Sequence, residues 1–202
     1  VECPTGQRFL VDAGEERTAA SDNGLLSRLR DRGVDRLDGL VVTHADEDHA
    51  GGVPAVLAAL PVGSVAWPCP DAGQPLVRRA AAAADAAGVP ARCLLAGMQA
   101  LPGCGDDSRL VWPPAFVPLV RNAASVVFAI AWRGRRILLT GDLEEAQEQA
   151  MVDRGAVAAA DVLKLGHHGG RASSSPDFLA AVRPAIAVVS GFATRQRRDL
   201  PA

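Results

Sequence analysis

Thr43-His44-Ala45-Asp46-Glu47-Asp48-His49-Ala50-Gly51-Gly52 is the stretch from which the architecture can be read. It carries two of the chain's four histidines among three carboxylates, directly behind the apolar run Leu37 to Thr43. That run, rich in Leu and Val, predicts a buried strand, which places the cluster on a loop at a strand's C-terminal end. The other two histidines, His167-His168, follow the strand-like run Asp161 to Leu165, and Gly141-Asp142 follows the run Arg135 to Thr140. Three polar clusters behind three different strands belong on one edge of a sheet system.

Outward from these clusters the pattern is βα alternation. Arg8 to Val11 predicts a strand that empties into Asp12-Ala13-Gly14, and Asp22 is expected to cap a helix through Arg32 that Gly33 ends. Helical patterning from Gly51 to Leu60 and from Pro75 to Ala87 interleaves with strand-like runs at Val62 to Trp67 and Ala91 to Leu95. Arg109 to Trp112 is a further strand candidate, and Val126 to Trp132 with Arg135 to Thr140 predicts a hairpin turning at Arg133-Gly134. A helix is expected from Leu143 to Arg154, another after Ser173-Ser174-Ser175-Pro176, and a last strand from Ala185 to Ser190.

The 202 residues suffice for one domain with a substantial core. The longest apolar runs, such as Ala123 to Trp132, fall far short of the ~20 residues of a membrane-spanning helix. A net charge of -2 gives no global attraction for nucleic acid, so any DNA contact must be local. The start at Val1-Glu2-Cys3-Pro4 reads as a cut from a longer chain or a processed end. Cys3, Cys69, Cys93 and Cys104 form no C-x-x-C pair, and the favoured expectation is buried free thiols, with a Cys69–Cys104 or similar bridge in an oxidising compartment as the alternative.

Imidazole nitrogen and carboxylate oxygen are ligands for divalent transition metals. On an extended loop alternate residues point the same way, so His44 and Asp46 are expected to serve one ion while Asp48 and His49 face a neighbour. Asp142 and one residue of the His167-His168 pair would complete a set large enough for two ions, with Asp142 as the natural bridge.

These residues resemble a known family. The stretch from Thr43 to Gly52 is similar to the H-x-[HD]-x-D-H signature of metallo-β-lactamase-fold hydrolases. The Leu138 to Asp142 strand end and the Leu163 to Gly169 loop resemble the C-terminal domain of ComEC-type DNA-uptake (competence) proteins. Leu10 to Gly14 and Arg121 to Val127 resemble two further elements of that family, and the matches span roughly residues 8 to 190. The resemblance implies an α/β protein (α+β in some schemes), a four-layer αβ/βα sandwich whose flanks are shorter than the family pattern. The domain is expected over residues 1–191, with a divergent, poorly ordered basic tail at 192–202.

The implied activity is hydrolysis of phosphodiesters, with DNA as substrate and water activated by two divalent metal ions. The implied ligands are His44, Asp46, Asp48, His49, Asp142 and His168, and Asp48 and His167 are the candidate catalytic residues. His168 is the expected ligand and His167 the donor toward substrate, because neighbours on an extended segment point apart. With so few imidazoles the centre is oxygen-rich around His44, Asp46 and Asp142, which sets Mn²⁺ beside Zn²⁺ as the metal.

Asp12 is expected to orient a metal loop, and Asn122 to pin the site through its amide or cap a strand. Lys164 is an edge residue or a phosphate contact, and Ser173 and Ser174 match the family's serine pair, although Gly170 stands where relatives carry serine. Arg121, Arg171, Arg195, Arg197 and Arg198 are solvated or meet phosphate. Two other readings stand beside the nuclease: a hydrolase of a small phosphoester, lactone or thioester, and a metal-binding domain without turnover. A competence-type domain would adjoin a membrane-embedded domain on the extracytoplasmic side; otherwise the expected location is cytoplasmic.

Overall fold

The computed structural model describes residues 1–22, 24–99, 101–105, 107–115 and 121–190. The basic tail expected at 192–202, with Arg195, Arg197 and Arg198, lies outside them. Strands β1 (Phe9–Val11), β2 (Gly39–Val41), β3 (Val65–Pro68) and β4 (Ala91–Leu94) form a parallel sheet in that order. Strands β5 (Asp107–Trp112), β6 (Val127–Trp132), β7 (Arg135–Leu139), β8 (Val162–Lys164) and β9 (Ile186–Val188) form the second sheet, also in sequence order. Its first three strands are antiparallel and its last three parallel. Helices α1 (Glu16–Ala19), α2 (Leu25–Asp31), α3 (Glu47–Ala50), α4 (Val53–Ala59) and α5 (Pro75–Ala86) accompany the first sheet, and α6 (Glu145–Asp153) and α7 (Pro176–Val182) the second.

Strand alternation sorts the side chains into three apolar layers. Leu40, Val42, Val65 and Trp67 meet Val53, Val56, Val77, Ala80 and Ala84 of α4 and α5. Val41 and Ala66, between them in sequence, face the other way and join Phe9, Leu94, Leu110, Phe128 and Ile130 between the sheets. Val127, Leu138 and Leu163 point outward onto Met151, Phe178 and Val182 of α6 and α7. Three cores separate four layers, helix, sheet, sheet, helix, and each fully buried Leu or Phe contributes about 2 kcal/mol.

Because β1, β2 and β3 are parallel, and so are β7, β8 and β9, residues 12, 43–49, 71, 141–142, 166–168 and 190 all follow strand C-termini. The two sheets join at this edge, where Val126 donates its N–H to the Thr43 carbonyl at 2.8 Å. At the opposite end the β6–β7 hairpin turns at Arg133 and Gly134, both with positive φ (48° and 72°), as a tight two-residue turn requires.

Three expectations are corrected. All four cysteines are paired, Cys3 with Cys104 and Cys69 with Cys93, so neither free thiols nor a Cys69–Cys104 bridge is found. Cys3 and Cys104 meet in the core between the sheets, and Cys69 follows β3 while Cys93 lies on its parallel neighbour β4. Asp22 does not cap α2; Gly24 does, without a side-chain bond. A Cβ on Gly24 would lie 1.9 Å from the Thr18 carbonyl oxygen, so the close approach of α1 sets where α2 begins. The second half of the opening motif is also not extended: Asp46 is the extended N-cap of α3, which contains Asp48 and His49.

The loop bearing Asp12 rests on the backbone of this motif. Ala13 donates to the His49 carbonyl and Gly52 to the Gly14 carbonyl, both at 2.8 Å. A Cβ on Gly52 would lie 2.2 Å from the Ala13 carbonyl oxygen, a clash only backbone movement can relieve. Gly52→Ala is therefore expected to lower stability in urea unfolding by about 2 kcal/mol or more; an unchanged midpoint would refute this packing.

Candidate metal centre

Four side chains converge at the strand-end edge. Ligand atoms of Asp48, His49, Asp142 and His168 all lie within 4.8 Å of one another. His49 Nε2 is 3.2 Å from Asp142 Oδ2 and 3.5 Å from Asp48 Oδ2, and His168 Nε2 is 3.2 and 3.4 Å from the same two atoms. His44 stacks near this group, its ring centroid 4.0 Å from that of His49.

Each imidazole is held by its other nitrogen. Asp12, itself at positive φ (65°), accepts from Thr43 N at 2.7 Å, Thr43 Oγ1 at 2.9 Å and His49 Nδ1 at 2.8 Å. Since the Thr43 hydroxyl proton goes to Asp12, the 3.0 Å contact of Thr43 Oγ1 with His44 Nδ1 needs the proton on His44. His168 Nδ1 donates to the Ser190 carbonyl at 2.6 Å. All three rings thereby present Nε2 inward, and each Nε2, together with Asp142 Oδ1, is buried without a hydrogen-bond partner. Buried polar atoms without a hydrogen-bond partner cost free energy unless something binds them, and the imidazole and carboxylate donor set fits divalent metal ions.

The electrostatics agree. Burial, reinforced by the neighbouring His49, pushes His44 down to about 4, leaving it neutral. Burial works the same way on His49, but the Asp12 and Asp142 carboxylates outweigh it and raise that imidazole to about 10. Asp142 resists its own burial and stays well below the usual carboxylate range, through His168, His49 and Lys164. His168 is raised, chiefly by Asp142, against burial.

Asp46 stands apart. Its carboxylate takes a two-point bond from Arg121, Nε to Oδ1 at 2.8 Å and Nη2 to Oδ2 at 3.1 Å, and its Oδ2 lies 3.8 Å from His44 Nε2. The His167-His168 segment is not extended but a 3-10 turn, His167–Gly169, with both histidines at positive φ (45° and 54°). That turn directs His168 into the cluster and His167 outward, Nδ1 3.3 Å from Glu144 Oε1.

Asn122 donates to the same Glu144 oxygen at 2.9 Å. Lys164 Nζ donates to the Gly141 carbonyl at 2.8 Å and lies 3.6 Å from Asp142 Oδ1. Ser173 Oγ donates to the carbonyls of Gly166 and Gly170 and so braces the histidine turn, while Ser174 N donates to buried Glu148 of α6.

Four contributors escaped sequence reasoning: Arg121 as the partner of Asp46, Glu144 facing His167, Ser125 and Asp71. Ser125 Oγ accepts from Asp142 N at 3.1 Å. Asp71, fully buried, accepts from Ala45 N at 2.8 Å and Arg121 N at 3.0 Å. Asp71 follows the apolar run ending at Trp67-Pro68, so the strand-end rule that located the other clusters points to it as well.

The sequence model of the metallo-beta-lactamase superfamily matches residues 1–192. The chain is 34% identical to competence protein ComA of Neisseria gonorrhoeae, over 97% of its own length and 26% of that protein's. It is 31% identical to ComE operon protein 3 of Bacillus subtilis, over 82% of this chain and 21% of that one. It is 28% identical to recombination protein 2 of Haemophilus influenzae, over 92% and 22%. The chain thus spans about a quarter of the length of these curated relatives.

Two outcomes are expected from the anchoring. A metal ion must displace the Nε2 proton that the carboxylates hold on His49, while the Nδ1 proton stays on its bond to Asp12. Calorimetric titration at pH 7 in buffers of different ionisation enthalpy should show about one proton released per ion at this position; heats independent of the buffer would count against it. Asp12→Ala frees the His49 ring and should weaken metal affinity roughly 10- to 100-fold in the same titration.

Proposed function

The chain belongs to the metallo-beta-lactamase superfamily, and from that premise we propose that it is a metal-dependent phosphodiesterase, a nuclease domain of the DNA-uptake type. The carrying observation is the set of three buried, partnerless imidazole Nε2 atoms, of which those of His49 and His168 lie 3.2 Å from Asp142 and that of His44 lies 3.8 Å from Asp46. Asp48, His49, Asp142 and His168 would hold one divalent ion, and His44, Asp46 and Asp142 a second, with Asp142 shared. Such ions supply Lewis-acid polarisation of a phosphoryl oxygen and a water acidic enough to attack at neutral pH.

The protein's own groups do the remaining work. Asp12, Thr43 and the Ser190 carbonyl keep the Nδ1 protons in place and so preserve Nε2 as the donor atom of each ring. Lys164 adds positive charge beside Asp142. His167 is 40% exposed at the mouth of the site, beside Glu144, and serves as the proton donor to the departing oxygen. The donor set of the second position, one imidazole and two carboxylates, suits Mn²⁺ as well as Zn²⁺.

DNA as the substrate is supported by the relatives named competence protein ComA and recombination protein 2. We further assign the chain to an oxidising, extracytoplasmic location, supported by its two disulfides. No helix among the described residues is long and apolar enough to cross a membrane. As part of a longer competence protein it would work beside a membrane-embedded domain.

The test is cleavage of single- and double-stranded DNA by the Mn²⁺- or Zn²⁺-loaded chain. Asp142→Ala should reduce turnover by about a hundredfold or more. Tight metal binding without cleavage of either DNA form would refute the nuclease assignment.

A further inference from the structure

We infer that Arg121 is a built-in competitor for the second ion: its guanidinium occupies Asp46, so the two ions load unequally. This inference rests on the reading of the site as a two-ion centre, and it starts from the contrast between the two halves.

In one half, the donor atoms of Asp48, His49, Asp142 and His168 already converge within 4.8 Å. The basic side chain beside them, Lys164, spends its hydrogen bond on the Gly141 carbonyl. In the other half, both carboxylate oxygens of Asp46 are engaged by the Arg121 fork at 2.8 and 3.1 Å. His44 is left there with a buried Nε2 that bonds to nothing.

The pairing is built into the backbone. Asp71 accepts from Ala45 N through one oxygen and from Arg121 N through the other, so one buried carboxylate fastens the two segments that present Asp46 and Arg121 to each other. Arg121 sits at φ 53°, a conformation unfavourable for a side chain of its kind and upheld by its surroundings.

A guanidinium does not deprotonate in proteins, so it cannot yield Asp46 by losing its charge as a histidine could. A divalent ion at Asp46 must displace it and break two charge-assisted bonds. With its side chain 69% exposed, Arg121 can swing into water once displaced. The block is therefore graded, weakening the second ion by a modest factor without forbidding it.

The experiment is equilibrium dialysis of the full chain against Mn²⁺, with bound metal per chain measured across free-metal concentration. The wild type should show one tight step and one weaker by about tenfold or more. Arg121→Ala should strengthen the weaker step roughly three- to tenfold and leave the tight one in place, and Arg121→Lys, which keeps the charge but loses the fork, should fall between. Asp46→Asn should abolish the weaker step alone. Thermal melts of each variant confirm the fold.

Equal steps in the wild type, or a second step unmoved in both Arg121 variants, would overturn the inference and leave the hydrolase reading standing. A single step in wild type and Arg121→Ala alike would overturn it too, with the activity then resting on one ion. A wild-type chain that takes up no metal at all would overturn the metal-centre reading and the inference together.

Discussion

The Asp12 carboxylate ties together the parts on which the centre depends. It leaves β1 at positive φ and accepts from the backbone and hydroxyl of Thr43, at the end of β2, and from His49 in α3. Without it, the Thr43 hydroxyl proton would lose its acceptor, His44 Nδ1 its defined partner, and His49 the counter-charge that holds its ring. A half-buried carboxylate with three donors is stable in a way an isolated one is not, since withdrawing an unpaired charge from water is costly. The loop around it is in turn held against the Gly51-Gly52 backbone, where a side chain on Gly52 would collide with Ala13.

The same constraint explains the economy of the rest of the edge. Polar groups there are either consumed in bracing or left open toward one point. Ser125, Asp71, Glu148, Ser173 and the Ser190 carbonyl spend their hydrogen bonds on loop backbone or on a ring Nδ1. The atoms that stay open include three Nε2 nitrogens and an oxygen of Asp142. Strained backbone gathers here as well: Asp12, Arg121, His167, His168 and Ser174 all adopt positive φ. Strain of this kind persists where surrounding structure over-determines it, and it concentrates at sites that must present side chains in fixed directions.

The two halves of the centre differ in how far they are prepared. Around Asp142, ligand atoms of opposite charge already attract one another. At Asp46, the attraction is satisfied by an arginine from the short 3-10 turn Arg121–Ala124 that precedes β6. A protein can thus carry a full set of candidate ligands in sequence and still hold one of them in an alternative ion pair. The paired cysteines make the same point, because each partner was chosen by strand adjacency or by the core between the sheets, neither of which spacing along the chain discloses.

What the sequence by itself determined was the order of strands and helices and the position of each polar cluster behind a strand. These follow from local signals, apolar periodicity and the glycines and carboxylates that interrupt it, and the Thr43 to Gly52 stretch carried the family resemblance with them. Tertiary structure alone decided the Cys3–Cys104 and Cys69–Cys93 pairs and the left-handed turn that separates His167 from His168. It also decided the Arg121–Asp46 bond, which spans 75 residues. The physical reason is common to all three: each is set by which backbone segments the packed sheets bring within hydrogen-bond or covalent reach, and that proximity exists only after the strands have aligned their C-terminal ends along one edge.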